Sequence, residues 1–84
     1  MENSAIVIFI NKQTKKGIDI EIPLNITANE LIYGLNEAFH LGINIDDPEK
    51  CYLRMENPIG LLRGDTFLSE CGIRNESKII WENS

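Results

Sequence analysis

Between Ala5 and Asn11, Ile6, Ile8 and Ile10 alternate with Val7 and Phe9, and a period of two predicts a strand. Lys12-Gln13-Thr14-Lys15-Lys16-Gly17 is a polar turn ending in glycine, after which Ile18, Ile20 and Ile22 alternate with Asp19 and Glu21. The two runs read as a β-hairpin with six isoleucines on its inner face and with Val7 and Phe9 pointing outward. Pro23 stops the second strand. Thr27-Ala28-Asn29-Glu30 has the spacing of a capping box, in which the threonine hydroxyl and the glutamate carboxylate satisfy amide donors at a helix start.

Leu31, Leu35, Ala38 and Phe39, with Ile32 at the margin, recur at three- and four-residue spacing and form one stripe facing a sheet. Gly42 supplies a left-handed stop. Gly34 within the helix costs about 1 kcal/mol relative to alanine. Asn44 to Lys50 is an acidic loop around Pro48. Cys51, Leu53 and Met55 then alternate with Tyr52, Arg54 and Glu56 as a third strand. Asn57-Pro58 turns the chain into a short fourth strand, Ile59 to Arg63. Gly64-Asp65 is a turn, Phe67 to Cys71 a helical turn or 3₁₀ segment, and Lys78 to Glu82 the fifth strand. The order is ββαββ(3₁₀)β, without repeats, linkers or low-complexity stretches.

With 84 residues, 43% hydrophobic and 25% charged, the chain suffices for one small core and leaves no room for a second. The formal charge of −5 provides no broad field for phosphate backbones, so nucleic acid is not an expected partner. Ala5 to Ile10 is far shorter than the ~20 residues that span a bilayer and lacks the basic leader and cleavage site of a signal peptide. The expected location is the cytoplasm, without membrane insertion.

Candidate chemistry is sparse. Cys51 and Cys71 make no disulfide framework and cannot supply the four thiolates of an iron–sulfur cluster, so they read as reduced packing residues. Asn25-Ile26-Thr27 and Asn75-Glu76-Ser77 match the glycosylation pattern but have no secretion signal to go with them. His40 at the helix end is explained by the negative pole of the helix. Asn44, Asp46, Asp47 and Glu49 lack the spacing and central glycine of an EF-hand. Ser69 and Ser77 have no nucleophile-elbow context, and Gly60, Gly64 and Gly72 form no phosphate-cradling run. No enzymatic activity, cofactor or metal is expected. Lys12, Lys15 and Lys16 are the one basic cluster, a solvated hairpin tip or an aid to docking on an acidic partner or an inner membrane surface. At about 1 kcal/mol per charge they could assist binding but not anchor the protein.

The stretch from Thr66 to Trp81 resembles the closing segment of ubiquitin-like β-grasp domains, and with the hairpin first and one helix crossing the sheet the resemblance runs from Ile6 to Trp81. The implied fold is α+β, a mixed five-stranded sheet with one helix packed across it. The domain spans 1–84, with 1–4 and 82–84 expected to be disordered. Leu68-Ser69-Glu70-Cys71-Gly72-Ile73, followed by the polar turn Arg74-Asn75-Glu76-Ser77, is similar to the EsaB/YukD family of Gram-positive type VII secretion systems. The longer region between helix and third strand, Phe39 to Lys50, is also similar to that family. Its members usually carry Asn-Gly-Asp where this turn has Asn75-Glu76-Ser77.

This resemblance implies a small cytosolic accessory protein that supports export of WXG100-type substrates by a membrane ATPase complex, itself neither exported nor conjugated. Only Glu82-Asn83-Ser84 follow Trp81, with no Gly-Gly pair, so the expectation is a binding module and not a modifier or sulfur carrier. A general ubiquitin-fold scaffold or regulatory protein unrelated to secretion is the alternative.

In a grasp sheet the first and last strands lie side by side in the middle. The outward side chains expected there are Val7, Phe9, Lys78 and Ile80, flanked by Tyr52 and Arg54, so the candidate protein-interaction residues are Val7, Phe9, Tyr52, Arg54 and Ile80. The positions that match ubiquitin's receptor patch are Glu56, Ile80 and Glu82, two of them acidic, so recognition by ubiquitin receptors is not expected. Asp19 and Glu21 on the edge strand guard against strand pairing, and the expected state is a monomer.

Overall fold

The structure is a computed structural model and describes residues 3–82. Its elements are β1 (Ser4–Asn11), β2 (Lys16–Pro23), α1 (Ala28–Phe39), β3 (Leu53–Glu56), β4 (Gly60–Leu62) and β5 (Lys78–Trp81). The five strands form one sheet in the order β2-β1-β5-β3-β4. β1 and β5 pair in parallel at its centre, and the other three pairings are antiparallel. This is the expected mixed sheet, with β2 and β4 at its edges. Ser4 begins β1, and Glu82 forms ion pairs with Lys12 and Arg54. Residues 1–2 and 83–84 lie outside the described residues.

The hairpin folds in the opposite phase to the one its isoleucines suggest. Four residues, Lys12 to Lys15, separate the closing pair Asn11 and Lys16, and the ladder runs back through Phe9↔Ile18, Val7↔Ile20 and Ala5↔Ile22. Asn11 Oδ1 accepts a hydrogen bond from the Gln13 N–H at 2.9 Å, and Lys15 turns left-handed with φ 60°. Because side chains alternate strictly, this turn length places Val7 and Phe9 on the same face as Ile18, Ile20 and Ile22. Val7 is 0% and Phe9 3% exposed, both within the core, whereas Ile6 is 54% exposed on the other face. The inner-face set is therefore Ala5, Val7 and Phe9 with the three isoleucines of β2.

α1 starts as its capping box dictates. The Glu30 N–H donates to Thr27 Oγ1 at 3.1 Å and the Thr27 N–H to Glu30 Oε1 at 2.9 Å. Ala28, Leu31, Ile32 and Leu35 are the buried residues of the helix. Ile32, expected at the margin, is fully buried, while Ala38 and Phe39 are exposed. Phe39 still reaches the sheet, its ring centroid 5.0 Å from that of Phe9. The helix ends at His40 with φ 54°, before Gly42, because Asn36 draws the chain aside. Its side chain accepts from the Ile43 N–H at 2.9 Å and donates to the Ile43 carbonyl at 3.2 Å.

The segment after β4 is tied to the start of α1. The Ala28 N–H donates to Thr66 O, the Asn29 N–H to Gly64 O, and the Leu68 N–H to Ile26 O. Phe67 to Gly72 runs through successive turns in which the Glu70 and Cys71 N–H groups both donate to Phe67 O, as in a helical turn, and Phe67 is bridged to Thr27. Leu68 and Ile73 from this segment are core residues. Ser77, buried at the entry to β5, donates its hydroxyl proton to Asn57 O at 2.6 Å and accepts from the Arg74 N–H at 3.1 Å.

Candidate interaction surface

One face of the sheet carries α1 and the core; the opposite, outer face bears the even-numbered residues of β1. The registers align Gly17, Ile10, Ile80, Arg54 and Leu61 in one row across the outer face, and Asp19, Ile8, Lys78 and Glu56 in the next. Ile6 stands opposite Glu21 in a third row. Ile6, Ile8 and Ile10 on β1 and Ile80 on β5 therefore form an apolar field across two neighbouring strands, with Leu61 of β4 set apart from it by Arg54. Leu61 is exposed, Ile8 and Ile10 are half-buried, and Ile80 is 5% exposed beneath its neighbours.

Glycine at position 17 lets this field pack. A Cβ there would lie 3.3 Å from Ile8 Cγ2 and 3.4 Å from Ile10 Cγ1, so the two isoleucines lean over the space that a side chain would take. Charges frame the apolar rows. Glu82 Oε2 accepts from Lys12 Nζ at 2.8 Å and from Arg54 Nη1 at 2.7 Å, and these hydrogen bonds, Lys12 first, hold its carboxyl below the usual carboxylate range. Asp19 and Glu21 line the β2 side of the field, with Lys78 and Glu56 side by side between β5 and β3.

Of the five residues expected to form the contact, Arg54 and Ile80 lie together on this face. Tyr52 is exposed at its margin, beside a cleft of about 530 Å³ that it lines with Leu41, Trp81 and Glu82. Val7 and Phe9 are core residues and cannot touch a partner, for the reason of hairpin register given above. Ile6, Ile8, Ile10 and Leu61 take their place. The signal for them was the alternation of Asp19 and Glu21 combined with the even number of turn residues, which fixes the phase of β1 from that of β2.

Cys51 and Cys71 are free thiols, and burial raises both above the usual thiol value, with the Glu70 carboxylate adding to the effect at Cys71. Among the described residues, no group of three or more His, Cys, Asp or Glu side chains is placed to hold a metal ion, and no helix is long and apolar enough to cross a membrane.

No protein-family model and no curated protein matches the chain. Solved structures do. The ubiquitin-like domain of tubulin-binding cofactor B superposes with a TM-score of 0.72 at 18% identity, covering 95% of this chain and 89% of that one. The ubiquitin-like domain of yeast Ddi1 gives a TM-score of 0.68 at 15% identity over 100% and 98% of the two chains. The C-terminal ubiquitin-like domain of mouse tubulin-specific chaperone e gives 0.66 at 9% identity over 99% and 91%. At these identities the likeness establishes the fold alone: a ubiquitin-like β-grasp.

Proposed function

We propose that this protein is a non-enzymatic protein-interaction module that docks a partner protein on the outer face of its sheet. The observation that carries the reading is the row of Ile6, Ile8 and Ile10 along β1, beside the buried Ile80 and left uncovered by any element among the described residues. Single exposed apolar side chains are ordinary on a monomer, whereas a contiguous set framed by charges has the anatomy of an interface centre and rim. The frame also selects. Glu56 opposite Lys78, and Glu82 held by Lys12 and Arg54, put carboxylates on two sides of Ile80, which makes the site unlike the receptor patch of ubiquitin, and the partner is one that accommodates them.

The resemblance of Leu68 to Ser77 to the EsaB/YukD family supports a finer assignment: a cytoplasmic accessory component of a Gram-positive type VII secretion system, acting as a monomer and without covalent attachment. The partner is then a cytosolic part of the membrane secretion machinery. The position that departs from the family's usual Asn-Gly-Asp turn is compatible with this, since Glu76 adopts φ 73°, the conformation a glycine would take there. Deleting the gene in its host and following export of WXG100-type proteins tests this assignment. Export should stop or fall and return when the wild-type gene is restored. Unchanged export would remove the secretion role and leave a general ubiquitin-fold scaffold.

A further inference from the structure

The cleft beside Tyr52 lies where β1 and β5 finish, between the loop that leaves α1 and the start of β3. Its volume, about 530 Å³, is that of a small-molecule pocket, and its walls are held before any ligand arrives. On one side, Asn36 fixes Ile43 through both of its backbone polar groups. On the other, the Lys50 and Cys51 N–H groups both donate to Asp47 O at 2.9 Å, and the Glu49 N–H donates to Asp47 Oδ1 at 3.0 Å, which stiffens the turn that carries Glu49 and Lys50. Leu41 and Trp81 are core residues that also line the cleft, and Tyr52 stands exposed at its rim. Three charged side chains line the same space and are not equivalent. Glu82 is already held by Lys12 and Arg54, whereas Glu49 and Lys50 pair neither with each other nor with any other group among the described residues.

We propose that this cleft binds a small zwitterion of the α-amino-acid type with an aromatic side chain. Glu49 takes the ammonium group, Lys50 takes the carboxylate, and the ring lies against Leu41, Trp81 and Tyr52. A ligand with a single charge leaves one of the two free groups without a counter-ion, whereas a zwitterion meets both, and the two charge-assisted hydrogen bonds fix its orientation. Contact of the ring with apolar and aromatic side chains supplies the rest of the affinity. Because Glu49 and Lys50 are exposed, each ion pair adds little, and for a ligand of roughly a dozen heavy atoms the dissociation constant should be on the order of 1 mM. The site is separate from the apolar row on the outer face: Trp81 pairs with Asn11 at the end of β1, and Ile6 lies near its start.

Trp81 is the only tryptophan of the chain, so its fluorescence reports on this cleft directly. L-Phenylalanine titrated into the full chain should change the Trp81 emission saturably and shift the backbone amide resonances of residues 41–44 and 49–52. Phenethylamine, which lacks the carboxylate, 3-phenylpropionate, which lacks the ammonium group, and alanine, which lacks the ring, should each bind about threefold more weakly or worse. Glu49→Gln should no longer distinguish phenylalanine from 3-phenylpropionate, and Lys50→Gln should no longer distinguish it from phenethylamine. Ile6→Lys, on the outer face, should leave the affinity within twofold. No response to phenylalanine in the tens of millimolar, equal binding of the singly charged analogues, or wild-type affinity in Glu49→Gln and Lys50→Gln would overturn the proposal. So would amide shifts confined to residues 6–10.

Discussion

Val7 lies opposite Ile20 in the β1–β2 ladder, and its immediate neighbour Ile8 lies opposite Asp19. These adjacent residues therefore belong to different environments, a sealed core and a solvent-facing apolar field, and a charge placed at one has a far larger cost than a charge placed at the other. Val7→Glu buries an unpaired carboxylate and should cost more than about 3 kcal/mol, enough to unfold much of so small a domain. Ile8→Lys puts an ammonium beside Asp19 and should change stability by no more than about 1 kcal/mol. Urea unfolding followed by circular dichroism separates the two, and equal losses would contradict the register.

Ser77 joins two turns that meet at the same end of β3 and β5. Its hydroxyl is buried between Asn57 O and the Arg74 N–H, and Arg74 Nη2 donates to Asn57 Oδ1 at 2.9 Å alongside. Ser77→Ala leaves a buried carbonyl without its donor and should cost about 1–3 kcal/mol. A denaturation midpoint unchanged within error would show that water or a shifted turn replaces the hydroxyl.

Two glycines should respond in opposite directions to alanine. Gly34 is helical, and a Cβ there meets nothing within 4 Å, so Gly34→Ala should raise stability by about 0.5–1 kcal/mol. Gly72 has φ 84°, and its Cβ would lie 3.3 Å from Pro58 Cγ, so Gly72→Ala should lower it by about 1–3 kcal/mol. Thermal unfolding of the two variants side by side gives the signs directly.

Much of this fold is legible in the chain because its signals come from single residues with one physical meaning. Thr27 and Glu30 specify the helix start, and the alternation of Leu53 and Met55 with Arg54 and Glu56 specifies which face of β3 is buried. The phase of β1 is different. Ile6, Val7, Ile8, Phe9 and Ile10 are all apolar, so periodicity marks a strand without saying which side faces inward. That choice belongs to the turn, whose four residues pair Val7 with Ile20. The same ambiguity decides the face of Val7 and Phe9, whereas on β3 and β5 the polar residues Arg54, Glu56 and Lys78 mark the outer face. The end of α1 at His40 depends on Asn36 capturing Ile43, a contact that no local pattern announces.

Stability should depend on pH at both ends of the range, with opposite signs. Glu82 has its folded pKa lowered by the Lys12 and Arg54 hydrogen bonds, so its contribution is present above the unfolded carboxylate value and is lost as pH falls through the folded one. Cys51 and Cys71 have folded values raised by burial, so theirs is full below the unfolded thiol value and is lost as pH rises through the folded one. Glu82→Gln should therefore differ from wild type in urea midpoint near neutrality and converge with it in acid. Both thiols should react with iodoacetamide at pH 8 more slowly in the folded protein than in urea. Cys51, the more buried, should be the slower.

The account rests most heavily on the outer face as the docking surface. The direct measurement is the affinity of the folded protein for the cytosolic portion of the secretion ATPase complex, compared with that of the double variant Ile6→Lys, Ile8→Lys. Placing two ammonium groups at the centre of a buried contact should reduce affinity by more than tenfold, a loss of over about 1.4 kcal/mol, while the circular dichroism spectrum and cooperative unfolding persist. A double variant that folds and binds this partner as tightly as wild type would contradict the assignment of the face.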